Sequence, residues 1–520
     1  MDVPIPSQRL APRWRHVAKR YLALVLVPLA ALRLYNLMLF PMYYDEALHI
    51  ERAQRVIADH TLLMGTEGGK YLQVWLAALI LPLANDALLA TRILSAFFGF
   101  IGGLGCYVLA SRLYGRDVAL LSVMLYAVCP YLLFFDRLAM ADGLLGALTV
   151  WCMWLSVILA QQQRWWHAPA LGLCTGVALL TKLGGMPLLA FPLLAALIWR
   201  GASPWRRLLP NLVLVWLLAL VCLLPSALDY APQIGSALER SWLSAHTQDS
   251  PFAARLGYNL GIVADSLWRY LTPPLAILAL YAAVRAAWQR ERAAACLALG
   301  ASLIIGFFVS TAGVGELFPR YLLPVFPLLL VLGASAAADI ATWLMRHISR
   351  GQATFRYGVL VGLLLLVSGP ALHFDHLVLS DPPRAPWTDS DRFHFIEGPL
   401  SGYGVVDAAD YLREQARQSG RIIVVKRTDN TKRLGAWRYY LAGSDVLLVP
   451  VNLKYGDTKE MIETARMQPW PIYVVLDRPW EDRYAQAFVN GLFAPYSRLV
   501  ATFSRPYGSR IEVYRVEVSS

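Results

Sequence analysis

Charge is scarce in this chain. Only 16% of its 520 residues are Asp, Glu, Lys or Arg, and 57% are hydrophobic, whereas a soluble protein carries roughly 25% charged residues. That excludes an ordinary soluble enzyme and leaves an integral membrane protein. Cysteine pairs are missing too. The six cysteines (Cys106, Cys129, Cys152, Cys174, Cys222 and Cys296) lie in or beside apolar runs, with no CxxC and none in the C-terminal region. A zinc ribbon or a disulfide scaffold is excluded, and buried thiols remain. There is no internal repeat, which counts against an inverted-repeat transporter. No small-residue cleavage site follows a short apolar core near the N-terminus, so residues 21–40 are expected to persist as a first span.

What the chain has is apolar runs separated by arginine. A membrane helix needs about 20 mostly apolar residues. Spans are expected near 21–40, 87–110, 118–135, 142–160, 168–182, 185–199, 208–228, 271–287, 294–311, 321–341 and 356–372, about eleven in all. The net charge of +12 falls mostly in the short connections: 8–20, 111–117, 161–166, 200–207, 285–292 and 345–356. With the N-terminus in the cytoplasm, every one of these lands inside, which is the positive-inside pattern. The positive charge is thus a topology signal, with no nucleic-acid partner implied. Two segments depart from simple spanning. "YLQVWLAALILPLA" (71–84) is about 21 Å long as a helix, too short to cross, and is expected to lie in the interface. "TKLGGMP" (181–187) breaks a long apolar run into a hairpin with Lys182 at its tip.

An odd number of spans places everything after 372 outside. That region alternates helix-like and strand-like stretches, among them "VVDAADYLREQARQSG", "RIIVVKR", a helix-like 457–467 and "PIYVVLDR", and ends in an expected strand pair. The expected organisation is a transmembrane part over 1–372 whose first external loop covers 41–86. A linker (373–404) and an extracytoplasmic α/β domain (405–520) follow, the latter long enough for its own core. The fold class is a polytopic α-helical membrane protein with a C-terminal α/β domain.

Ionisable groups at membrane depth cost at least ~2.5–3.5 kcal/mol at the bilayer centre, so their positions are informative. Many fall at the expected outer helix ends. They include Asp45 and Glu46 in "YYDEALH", Lys70, Arg92, Asp136, Arg137 and Asp142 in "FFDRLAMADG", Lys182, and Glu316, Arg320 and Tyr321 in "GELFPRYLLP". Each has a plainer account: paired acids favour helix N-termini, Arg137 can snorkel to an interface, and Arg33 can pair with an acid or a lipid phosphate. Gathered in one compartment, they point to a site. "TDSD" (Asp389, Asp391) resembles a metal-binding DxD, but three-residue patterns arise by chance, and no metal is expected.

"YYDEALH", "GGKYLQVWL", "TRILSAFFG", "DRLAMADGLLGAL", "LLTKLGGMPLL" and "RYLLPVFPLLLVLG" together resemble the polytopic GT-C glycosyltransferases of the protein O-mannosyltransferase and lipid A aminoarabinose transferase kind. The resemblance covers about 1–345. It implies a polyprenyl-phosphate sugar donor, transfer at the outer face with inversion, and Asp45 as general base, with Asp142 a second acid in the cavity. It also implies Arg137, Lys70 and Tyr321 for the donor phosphate. From the residues themselves, Glu46 is expected to support the acids, and Lys182, Arg320 and Arg92 are further cations at the same face. Leu48 stands three residues after Asp45, where aminoarabinose transferases carry Arg, so aminoarabinose is not the expected sugar. The Trp-Trp-Asp element of oligosaccharyltransferases is absent, which counts against transfer of whole glycans to Asn. The acceptor (protein, lipid or glycan) is open, no cofactor is expected, and the expected location is the plasma (inner) membrane. The alternative reading is a transporter with a charged outer vestibule. It predicts polar residues running through to the cytoplasmic half of the spans, which are almost entirely apolar.

Overall fold

The computed structural model describes residues 12–62, 70–199, 205–230, 251–347, 353–427, 434–451, 467, 469–478 and 497–516. They form two compact units. One comprises residues up to Leu37, 61–76 and 90–379, and the other Met38–His60, Ala77–Leu89 and 380–520.

The first unit is helical. Its helices are α1 (Pro12–Leu34), α4 (Ala87–Leu113), α5 (Arg116–Ala127), α6 (Pro130–Phe135), α7 (Ala141–Gln162), α8 (His167–Thr181), α9 (Phe191–Ile198) and α10 (Trp205–Tyr230). They continue with α11 (Phe252–Tyr270), α12 (Pro273–Gln289), α13 (Arg292–Thr311), α14 (Phe326–His347) and α15 (Ala353–Ser380). Among the described residues six stretches are long and apolar enough to cross a membrane, or seven if the sharply bent pair α11–α12 is one span. The chain is therefore a multi-pass membrane protein.

Several of the expected apolar runs are broken by the chain's own punctuation. Pro130 starts a new helix inside 118–135, since proline has no N–H to donate. The "TKLGGMP" break appears as expected. Helix α8 ends at Thr181, Lys182 is extended, and a 3₁₀ segment (Leu183–Ala190) leads into α9. In the first loop, α3 (Tyr71–Ile80) and a 3₁₀ turn (Leu81–Leu83) form one of the shorter apolar helices.

Small residues let these helices approach closely. In α8, Gly172 and Gly176 form a GxxxG face on α10. A Cβ at Gly176 would lie 2.5 Å from Cys222 Cβ, and one at Gly172 would lie 2.9 Å from Val215 O. Close backbone approach of this kind is what holds helices together where lipid removes the hydrophobic drive.

The second unit holds α2 (Tyr44–Ala58), α16 (Val405–Ser419), α17 (Gly435–Leu441) and a five-stranded sheet ordered β2-β1-β3-β5-β4. The strands are β1 (Ile422–Arg427), β2 (Val446–Val451), β3 (Ile472–Arg478), β4 (Ser497–Ser504) and β5 (Arg510–Val516). Strands β2, β1 and β3 run parallel, and β5 and β4 add antiparallel. Alternate residues of β1 serve two cores: Ile422 and Val424 pack with α16 and α17, while Ile423 and Val425 pack with Ile472 and Val474. Both faces are apolar, as parallel strands require. The helix expected over 457–467 lies outside the described residues, apart from Met467. The segment 380–404, read from sequence as a linker, is packed. Phe395 and Tyr403 meet Tyr43 and Phe40 with ring centroids 4.4 and 5.5 Å apart. Residues 38–60 thus cluster with the C-terminal region, whereas the sequence reading kept 41–86 with the membrane part.

Candidate active site

Seven of the nine expected site residues belong to the helical unit, and Asp45 and Glu46 belong to the other. Within the helical unit the expected cations divide between two clusters, each around a buried carboxylate.

The first centres on Asp142, in the first turn of α7, where an acid suits the helix N-terminus. Lys182 Nζ donates to Asp142 Oδ1 at 2.6 Å, and the same ammonium lies 4.2 Å from the Tyr321 ring centre. Tyr321 stacks on Phe308 at 5.5 Å. The guanidinium of Arg320 lies 5.3 Å from the Phe318 ring centre and 6.0 Å from that of Tyr321. Arg320 and Lys70 join Lys182 in acting electrostatically on Asp142. Three cations from three separate segments therefore converge on one buried carboxylate. The broken helix at Lys182 and the 3₁₀ segment at Pro319–Val325 make this possible, because side chains at interrupted helix ends can reach inward from several directions.

The second cluster holds Arg137 and Arg92, together with Asp136 and with Arg33, which pairs with an acid as one of its two sequence readings had it. Arg33 Nε donates to Asp136 Oδ2 at 3.3 Å, and its other nitrogens donate to the carbonyls of Ala127 and Tyr126. Both side chains of this pair are fully buried. Tyr126 donates to the same carboxylate. Gly99 makes the fit possible, since a Cβ there would lie 2.4 Å from Asp136 Cγ. Arg137 donates to Asn36 O at 2.8 Å, and Arg92 to Leu37 O at 2.7 Å. Asp375 of α15 completes the set. It is 3% exposed and subject to the fields of Arg33 and Arg137. Sequence reasoning missed Asp375 because it ended the last span at 372, although an acid between two histidines beside an apolar run is itself a signal.

In the second unit, Asp45 and Glu46 open α2 and are 6% and 0% exposed. Glu46 accepts from the Tyr43 N–H at 2.9 Å, closing the helix N-terminus in the manner of a capping box. One of the two acids thus has a structural task. Asp45 lies on one face of α2 with His49 and Arg52, four and seven residues on, all buried. Burial pushes the Arg52 guanidinium down, and Asp45 is the largest influence holding it up. Arg52 is thus a cation within reach of Asp45 although Leu48 fills the place three residues on.

Asp389 and Asp391 do not form an open acidic pair. Asp391 N–H is capped by Thr388, and Asp389 pairs with Arg392 at 3.3 Å in one helical turn. Among the described residues no group of three or more His, Cys, Asp or Glu is placed to hold a metal.

Residues 71–228 match the family model described as dolichyl-phosphate-mannose-protein mannosyltransferase. The fold is similar to that of ArnT from Cupriavidus metallidurans, solved bound to undecaprenyl phosphate. The TM-score is 0.64 at 17% identity, over 97% of this chain and 98% of that one. It is also similar to the archaeal oligosaccharyltransferase AglB from Archaeoglobus fulgidus, solved with an inhibitory peptide and a dolichol-phosphate. There the TM-score is 0.56 at 12% identity, over 96% of this chain and 74% of that one. No curated protein matches the sequence. The resemblance to GT-C glycosyltransferases therefore holds, as fold along the chain and as sequence over residues 71–228.

Proposed function

We propose that this chain of GT-C fold is an inverting glycosyltransferase that moves a monosaccharide from a polyprenyl phosphate to an acceptor hydroxyl at the outer face of the membrane. The observation that carries this reading is the buried Lys182–Asp142 pair beside the Tyr321 ring, with Arg320 against the same ring and Lys70 near enough to act on the same carboxylate. A leaving phosphate needs cations or strong donors where its charge develops, and Lys182, Lys70, Arg320 and Tyr321 supply them. Asp142 holds Lys182 in place and keeps the group of cations from repelling itself apart. Arg137 and Arg92, bonded to the Asn36 and Leu37 carbonyls, fix the chain after α1 and support the site from there.

The chemistry is a single displacement. The acceptor oxygen attacks the anomeric carbon, the bond from that carbon to the phosphate oxygen breaks, and polyprenyl phosphate leaves. The proton of the acceptor hydroxyl passes to Asp45. A positioned carboxylate base contributes about 10²–10⁴-fold, and a nearby anion also stabilises an oxocarbenium-like transition state. Arg52 is the cation on the Asp45 face of α2, and Glu46 holds the helix end that presents Asp45. Neither the phosphate clamp nor the base requires a metal. The arginine-rich connections support a cytoplasmic N-terminus and an outer C-terminal region, in the inner membrane of a cell envelope.

Purified protein in nanodiscs, incubated with a panel of radiolabelled polyprenyl-phosphate monosaccharides and a membrane extract as acceptor source, tests the reading. Donor binding and consumption by wild type are expected, with binding weakened in Lys182→Met. Failure of the wild type to bind any donor would overturn it.

A further inference from the structure

The face of α2 opposite Asp45 borders a cavity of about 160 Å³. Ala47, Ile50, Glu51 and Gln54 line it from α2, and Gly435, Arg438, Tyr439 and Ala442 line it from α17 and the residue after it. Each set is spaced i, i+3, i+4, i+7, so two helix faces oppose one another. They touch at one end, where a Cβ on Gly435 would lie 2.7 Å from Ala47 Cβ.

The walls combine apolar surface with one unmet polar demand. Met42, Ala47 and Ile50 are buried and apolar, and Tyr439 adds an aromatic ring. Glu51 Oε1 accepts from both Arg55 (2.6 Å) and Arg438 (2.7 Å). Glu51 Oε2 is buried and accepts no hydrogen bond from the described residues. A buried carboxylate oxygen without a donor is costly, and a pocket of apolar walls with a few placed polar groups is the usual form of a small-ligand site. The volume exceeds several times the roughly 30 Å³ that one water occupies.

We infer that this pocket is a saccharide subsite, taking one sugar ring with its apolar C–H face on Ile50 and Tyr439 and a hydroxyl donated to Glu51 Oε2. A hydroxyl-bearing ring meets both halves of the wall at once. An apolar ligand leaves Glu51 Oε2 unmet, and an anion meets a carboxylate. If the proposed transfer holds, the occupant is a sugar of the acceptor, and that identification rests on the reading above. The pocket itself rests on the residues lining it.

Saturation-transfer NMR on the full chain in nanodiscs, with methyl glycosides of glucose, mannose, galactose and N-acetylglucosamine as probes, tests the inference. Transfer to the ring protons of at least one glycoside is expected in wild type. Glu51→Gln is expected to weaken binding by about tenfold, the scale of a lost hydrogen bond to a charged group. Ala442→Trp, at an exposed position on the rim, is expected to abolish it without disturbing a core. No transfer from any probe, or transfer that Ala442→Trp leaves unchanged, overturns the subsite. Donor binding by the same preparations separates the two claims. Glycoside binding without donor binding sinks the transfer reading and leaves the subsite, whereas donor binding without glycoside binding sinks the subsite alone.

Discussion

Asp477 accepts from Lys426 Nζ at 2.6 Å and from Arg505 Nη2 at 2.7 Å, with all three side chains buried. Burial pushes its carboxyl up, but the two cations outweigh burial and hold it below the ordinary carboxylate range. Glu512 is shifted the same way, burial being outweighed by bonds from Arg510 and Tyr514. A carboxyl whose folded pKa lies below its unfolded value, about 4, adds stability above that value and loses it as pH falls. Hydrogen exchange in β1 and β3 of the full chain is therefore expected to speed up as pH drops below about 4, after correction for the intrinsic rate. Asp477→Asn is expected to cost about 3–5 kcal/mol, because it leaves two buried cations uncompensated, and to flatten that acid dependence. Lys182 and Asp142 pose the same problem inside the helical unit. Lys182→Met alone removes the directly bonded partner of a buried carboxylate and is expected to lower both thermal stability and donor binding. Lys182→Met with Asp142→Leu is expected to recover most of the stability but not the donor binding. Recovery of both would reduce the pair to a structural role.

At the scale of elements, the legible features were those written in runs and breakers. "TKLGGMP" predicted the interruption at Lys182, and the alternating stretches "RIIVVKR" and "PIYVVLDR" predicted the strands that became β1 and β3. What the sequence hid was set by tertiary contact. Nothing local says that Arg137 bonds the carbonyl of Asn36, a hundred residues away, while Lys182 bonds Asp142. Both looked like cations at helix ends. Nor does composition reveal that the Pro- and aromatic-rich 380–404 packs on Phe40 and Tyr43, since linkers and packed irregular segments share that composition. The GxxxG face of α8 was readable in principle from "GLCTG". Gly176→Leu is expected to wedge α8 from α10, at a cost of about 1–3 kcal/mol by overpacking or more if the backbones must part. Thermal unfolding in detergent measures it, against Gly306→Leu, where no neighbour lies within 4 Å.

For the whole molecule, the arginine-rich connections and the apolar runs carry the topology, and a protease-cleavable tag after residue 520 checks it. Spheroplasts should lose the tag to added protease if the C-terminal region is outside, and retain it if the span count is even. The central claim is that Asp45, at the start of α2, takes the proton of the acceptor hydroxyl. Single-turnover transfer by Asp45→Asn, in protein that still binds its polyprenyl-phosphate sugar, tests that claim most directly. The account predicts transfer slowed by about 10²–10⁴-fold with donor affinity unchanged, the signature of a lost general base. Transfer at the wild-type rate would contradict it, and the proton would have to go elsewhere.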